Sequence, residues 1–223
     1  MSELNPGRFI QRWEPLVRTT VWNLGLSGEV EATIASMGWV DLRAFNYDDY
    51  PDYFDIGIDA GQYAWKPTII NEMNAGEAKL LVWLDAGCLV LGKLTWLRKI
   101  VGKLGFFSPH SSGSLKKWTH PGTLEKLRFT GDPSLFGNLA ATVVGYRTDI
   151  PKAVALIQKW ARCALDQDCI APTGSSRLNH RQDQAVLSVL ANQGGFIGRR
   201  DFNRYNFRTF AGPLNIAIHQ DVD

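Results

Sequence analysis

The sequence predicts an α/β domain: a mostly parallel central sheet flanked by helices. Three observations carry that expectation. Strand and helix signals alternate through the first half of the chain, as they do where right-handed crossovers link neighbouring parallel strands. "LLVWLDAGCLVL" (80–91) is apolar at nearly every position, which suits a strand covered on both faces rather than one. Finally, 223 residues of ordinary globular composition, 45% hydrophobic and 21% charged, can build one sizeable core.

Each element has its own reason. "PGRFIQRWEPLVRT" opens with Pro6 and spaces its apolar residues at helical period. "TTVWNLGLS" reads as a short strand, closed by Gly25 and Ser27. Ser27 can cap the helix "GEVEATIASMG", which Gly38 stops. "WVDLRAFN" is the next strand and "YDDYPDYFDIG" a loop. "QYAWKPTIINEMNAG" is helical, with Pro67 near its first turn or at a kink, and leads into a strand from about Lys79 to Asp85. Beyond it, "LTWLRKIVGKLG" is an amphipathic helix, "GFFSP" a short strand and "HSSGSLKKWTHPG" a polar loop. "GNLAATVVGYRT" is a strand, and "DIPKAVALIQKWARCALD" a helix with Asp149 at its capping position. "QDCIAPTGSSRLNHR" reads as a long loop before the helix "QDQAVLSVLANQGG".

Composition excludes several functions. Lys and Arg total 24 against 22 Asp and Glu, with no basic stripe, which argues against a nucleic-acid partner. No apolar run is long enough for a membrane span, and the start lacks signal-peptide character, so a soluble cytoplasmic protein is expected. Cys88, Cys163 and Cys169 lack metal-ligand spacing and read as reduced, buried thiols, although Cys163 and Cys169 could pair in an oxidising compartment. Neither GxGxxG nor GxxxxGK[ST] occurs.

Asp85 is the residue that asks for a function. A strand delivers it to the sheet rim, where ligands of open α/β sheets collect; Ala86 beside it is a substrate-side candidate, and Gly87 lets a ligand or another backbone approach closely. A carboxylate there can hold Mg²⁺ or Mn²⁺ against a diphosphate, or simply cap the turn that follows. "HRQDQ" supplies a second candidate. Asp183, at the start of a late helix, can act as a base or can merely complement the helix dipole. A phosphohydrolase built on Asp85 would need a second aspartate two residues on, where the chain has Gly87.

"YAWKPTIINEMNAGEAKLLVWLDAGCLVL", "HPGTLEKL", "FGNLAATVVGYRT", "KWARCALDQDCIAP" and "HRQDQAVLSVL" occur in the order and rough spacing of one branch of the GT-A-fold glycosyltransferases. The resemblance covers roughly residues 19–192. It implies a single Rossmann-like GT-A domain over 1–223, with a nucleotide-sugar-binding half to about residue 92 and an acceptor half and tail over about 93–223. The implied reaction moves a sugar from a nucleotide-diphosphate sugar to a hydroxyl of a glycan or other acceptor. Asp85 matches the first aspartate of Asp-x-Asp; the second is replaced by Gly87, which puts a divalent Mn or Mg cofactor in doubt. His219 is the resemblance's candidate for a further metal ligand. Lys66 matches a helix lysine able to offset diphosphate charge, with Trp65 and Tyr63 beside it. Asn138 and Gln184 match substrate-side positions, and Asp183 the base, with His180 adjusting it. Only a few residues precede the first helix, too few for the strand that opens this fold. A shortened chain with weak transfer is one implication, a strand supplied from elsewhere another. The competing reading is a catalytically silent domain of the same kind that binds a glycan, nucleotide or partner protein.

Overall fold

The computed structural model describes residues 6–197 and 215–218. Helix α1 (Pro6–Trp13) precedes strand β1 (Thr19–Asn23), helix α2 (Gly28–Ala35) and strand β2 (Val40–Ala44). Short single turns fill the stretch up to helix α3 (Trp65–Glu72), which leads to strands β3 (Leu80–Leu84) and β4 (Cys88–Val90). Helix α4 (Thr95–Leu104), strands β5 (Phe106–Phe107) and β6 (His110–Ser114), and helices α5 (Leu115–Trp118) and α6 (Pro121–Lys126) follow. The remainder comprises β7 (Gly137–Leu139), β8 (Val143–Arg147), α7 (Pro151–Ala164), α8 (Gln167–Ile170), α9 (Gln182–Gln193) and β9 (Ile216–Ile218).

The expected mostly parallel central sheet does not form among the described residues. Parallel pairing is confined to β1 with β2, from Thr19 opposite Val40 to Asn23 opposite Ala44. The largest sheet has three strands in the order β3-β8-β5, all antiparallel; β4 with β9 and β6 with β7 are separate antiparallel pairs. The apolar run in β3 has a different cause from the one inferred. Leu81 and Trp83 pack on a core around Trp160, Tyr146 and Ile69, whereas Leu80, Val82 and Leu84 pack on a second core around Leu97, Val101 and Val143. Alternate side chains thus enter two cores, and a strand covered on both faces is apolar throughout whichever way its neighbour runs.

Other expectations are corrected locally. "GNLAATVVGYRT" forms two strands, broken where Ala141 takes a left-handed conformation (φ 55°). "HSSGS" is a strand, paired irregularly with β7. Asp149 gives its carboxylate to Arg147 and does not cap α7. Ser27 does cap α2, accepting from the Val30 amide.

Cys163 and Cys169 form a disulfide and are not the reduced thiols expected. The chain reverses tightly between α7 and α8 and brings the two Cα atoms to 5.3 Å, within bridging range. Cys88 stays free and buried, its thiol pushed up to about 12 chiefly by burial, as for an inert packing group. Among the described residues no helix is long and apolar enough to cross a membrane.

Candidate functional site

The segment before α3 does something its residues resist. Asp59, Ala60, Gly61, Gln62 and Tyr63 all have left-handed backbones, with φ between 47° and 61°. Only Gly61 accepts that freely; each of the others costs about 1–2 kcal/mol. Packing and hydrogen bonds hold the turn. A Cβ on Gly61 would lie 2.2 Å from the Phe54 carbonyl oxygen, the Ala64 amide donates to Gly61 O, and the Trp65 indole donates to Ala60 O. The result is to set Tyr63, Trp65 and Lys66 side by side at the head of α3.

Lys66 is only 4% exposed, yet it is charged. Its Nζ lies 3.0 Å from Asp85 Oδ1 and 3.1 Å from Asp85 Oδ2, and 3.1 Å from Asp183 Oδ2. The Tyr63 and Trp65 rings flank it, with centroids 5.8 and 5.9 Å from Nζ. β3 delivers Asp85 just past its end, where the Asp85 amide donates to Thr142 O and the Trp83 indole donates to Asp85 Oδ1 at 2.6 Å. α9 delivers Asp183 in its first turn, after Gln182 in a strained φ of 35°, and the buried Trp160 indole donates to the Asp183 carbonyl. The Lys66–Asp183 contact is electrostatic more than directional. Oδ2 is within ion-pair distance but receives no well-aligned hydrogen bond.

The electrostatics follow from this geometry. Burial alone would push Lys66 down; Asp183 and then Asp85 overcome it and hold the ammonium above its ordinary range. Asp183 is pushed up, first by burial; Lys66 pulls it back, and the like charge of Asp85 adds to the rise. The two carboxylates differ in access. The side chain of Asp85 is 29% exposed and that of Asp183 only 7%. Asp85 is therefore the member of the cluster that a solute can reach.

The remaining candidates divide clearly. Ala86 and Gly87 are exposed in the turn after Asp85, closed by the Cys88 amide donating to Asp85 O. Gln184 lies next to Asp183 and takes the Ser188 hydroxyl on its carbonyl. Asn138 is fully buried and accepts from the same hydroxyl, joining β7 to α9. His219 lies outside the described residues. Trp83 and Arg177 were not singled out from the sequence. Trp83 had a signal, being two residues before Asp85 and so on the same side of the strand. Arg177 had none, because its place depends on how the loop before α9 folds back.

His180 is a latch and not the ionisation partner expected. Its Nδ1 accepts from the His120 amide at 3.2 Å, so its Nε2 donates to Ile170 O at 2.8 Å. Both ring nitrogens are committed, and burial lowers its pKa to about 4, with His120 adding to the drop. Because the folded value lies below the unfolded value of about 6.5, the unfolded chain binds the proton first on acidification. This group's stabilisation is complete above pH 6.5 and drains away as pH falls toward 4, amounting to about 3 kcal/mol over that window. Denaturant titrations of His180→Gln between pH 7 and 4 are expected to lack that part of the acid slope; an unaltered slope would contradict the latch.

A divalent ion does not fit this arrangement. Both Asp85 oxygens already face the Lys66 ammonium, Asp183 reaches the same ammonium, and an ion drawing on either carboxylate would sit against a positive charge. Comparison of the chain with family models, curated proteins and solved structures finds no match.

Proposed function

We propose that this protein transfers a sugar from a nucleotide-diphosphate sugar to an acceptor hydroxyl. One observation carries the reading: the Lys66 ammonium joins Asp85, at the end of β3, to Asp183, at the start of α9, beside a wall of Tyr63, Trp65 and Trp83. The motifs that suggested transfer lie far apart in sequence, and two of their carboxylates meet at one cation. An aromatic wall next to charged groups suits a sugar or base, which offers an apolar face and a polar edge.

The roles differ from those expected. Asp85, the accessible carboxylate, takes the acceptor proton. As the O–H bond breaks, the acceptor oxygen forms its bond to the anomeric carbon, and the bond from that carbon to the diphosphate oxygen breaks. The electron pair leaves with the nucleoside diphosphate. Buried Asp183 fixes the position of Lys66. Lys66 in turn orients Asp85 and lends positive charge where the leaving group becomes more negative. No step passes through a metal.

The test is a screen of nucleotide diphosphosugars with simple glycan acceptors, reading release of nucleoside diphosphate. Acceptor-dependent release with at least one donor is expected. No release and no thermal stabilisation by any donor would end the proposal. A second reading has its own support: a buried lysine between two aspartates is also a structural brace, as a catalytically silent binding domain would keep. Donor-induced stabilisation without any release would favour that one.

A further inference from the structure

The charge at the site is unbalanced for the donor that the transferase reading requires. Asp85 and Asp183 outnumber Lys66, so the cluster keeps a net negative charge before any phosphate arrives. A diphosphate ester adds more, and Lys66 is already paired twice. Another cation has to meet the phosphates, and the metal usually invoked finds its place taken by the ammonium. Resting on that reading, we propose that Arg177 binds the donor's diphosphate, and that with Lys66 it lets the site hold a nucleoside diphosphate without a divalent ion.

The position of Arg177 supports this. Its Nη1 donates to the Tyr63 hydroxyl at 3.5 Å, and the ring of that tyrosine flanks Lys66. One tyrosine therefore lies beside both cations, its hydroxyl toward Arg177 and its ring toward Lys66. Arg177 is exposed, and among the described residues no carboxylate pairs with it and would compete with a ligand for its charge. Arg181 is less free: its guanidinium stacks on Trp118, 4.3 Å from the ring centroid. The Arg177 loop is held in shape. The Ser176 amide donates to Asn179 Oδ1, Asn179 Nδ2 donates to Gly174 O, and the next residue, His180, is itself pinned by its ring to Ile170 O and the His120 amide. A guanidinium on such a frame offers a planar fork that matches phosphate oxygens, which a lysine cannot reproduce.

Calorimetric titration of the full chain with uridine, guanosine and adenosine diphosphates, each in excess EDTA and again with Mn²⁺, tests the proposal. The expected result is binding of at least one in EDTA, weakened about tenfold or more in Arg177→Gln and only partly recovered in Arg177→Lys. The matching nucleoside without phosphate should be indifferent to the substitution. Equal affinity of wild type and Arg177→Gln for the diphosphate would overturn the proposal and leave the transferase reading standing. Binding that requires Mn²⁺ would overturn its metal-free part. If wild type binds none of the three diphosphates under either condition, this proposal fails together with the reading beneath it.

Discussion

Replacing Asp85 with Asn is expected to lower sugar transfer by about 100-fold or more, the usual scale for losing a general base. The fold should hardly change, which is what makes the substitution informative. Asn is nearly isosteric, can still accept from the Trp83 indole, and leaves Lys66 paired one-to-one with Asp183. The negative excess of the cluster disappears, so donor binding should hold or tighten while turnover falls. Initial rates at saturating donor, with a melting curve on the same preparation, provide the check. A variant that keeps wild-type turnover removes Asp85 from the chemistry. One that loses turnover only in proportion to a lower melting temperature shows a brace.

The sequence made the placement of Asp85 and Asp183 legible because both follow from local rules. An apolar run ends where its strand ends, and an acidic residue after a loop and before an apolar helix belongs in a first turn. α7 and α9 were readable for the same reason. Strand direction was not. The unbroken apolar character of β3 reports that both faces are covered, and two separate cores cover it while its partner β8 runs antiparallel. A pattern that reports burial carries no information about a neighbour's polarity.

The parts of the site that were missed depend on tertiary context overriding local preference. "DAGQY" holds one glycine, and nothing in it suggests five consecutive left-handed residues. That turn exists because Gly61 fits against Phe54 and nothing larger would. It decides that Tyr63 faces Lys66 and lies within reach of Arg177. The disulfide was hidden similarly: two cysteines six residues apart within a helical pattern pair only because the chain turns sharply after α7. His180 looked like a partner for Asp183 through adjacency in sequence, yet its ring is turned to Ile170 and to the His120 amide.

Lys66→Met is expected to be the most damaging single change to stability. The side chains are similar in length, so packing is largely kept, but Asp183 is left buried without its cation. Breaking a buried pair from one side costs about 3–5 kcal/mol, far more than an intact pair contributes. For a chain of this size that is a drop of about 10 °C in melting temperature. The pH dependence identifies the cause. Asp183 is already pushed up by burial, and without Lys66 only the Gln184 backbone amide pulls it back. Its folded value then lies further above the unfolded value of about 3.9. The penalty is largest at neutral pH and shrinks as pH falls through that raised value, where the folded state takes up the proton first. Unfolding free energies of Lys66→Met should therefore approach those of wild type on acidification, once each is compared at the same pH. Adding Asp183→Asn, which removes the stranded charge, should recover much of the loss at pH 7. A melting temperature within a degree or two of wild type at pH 7 would mean that Asp183 is not held as a buried anion, and that Lys66 is not what joins the two carboxylates.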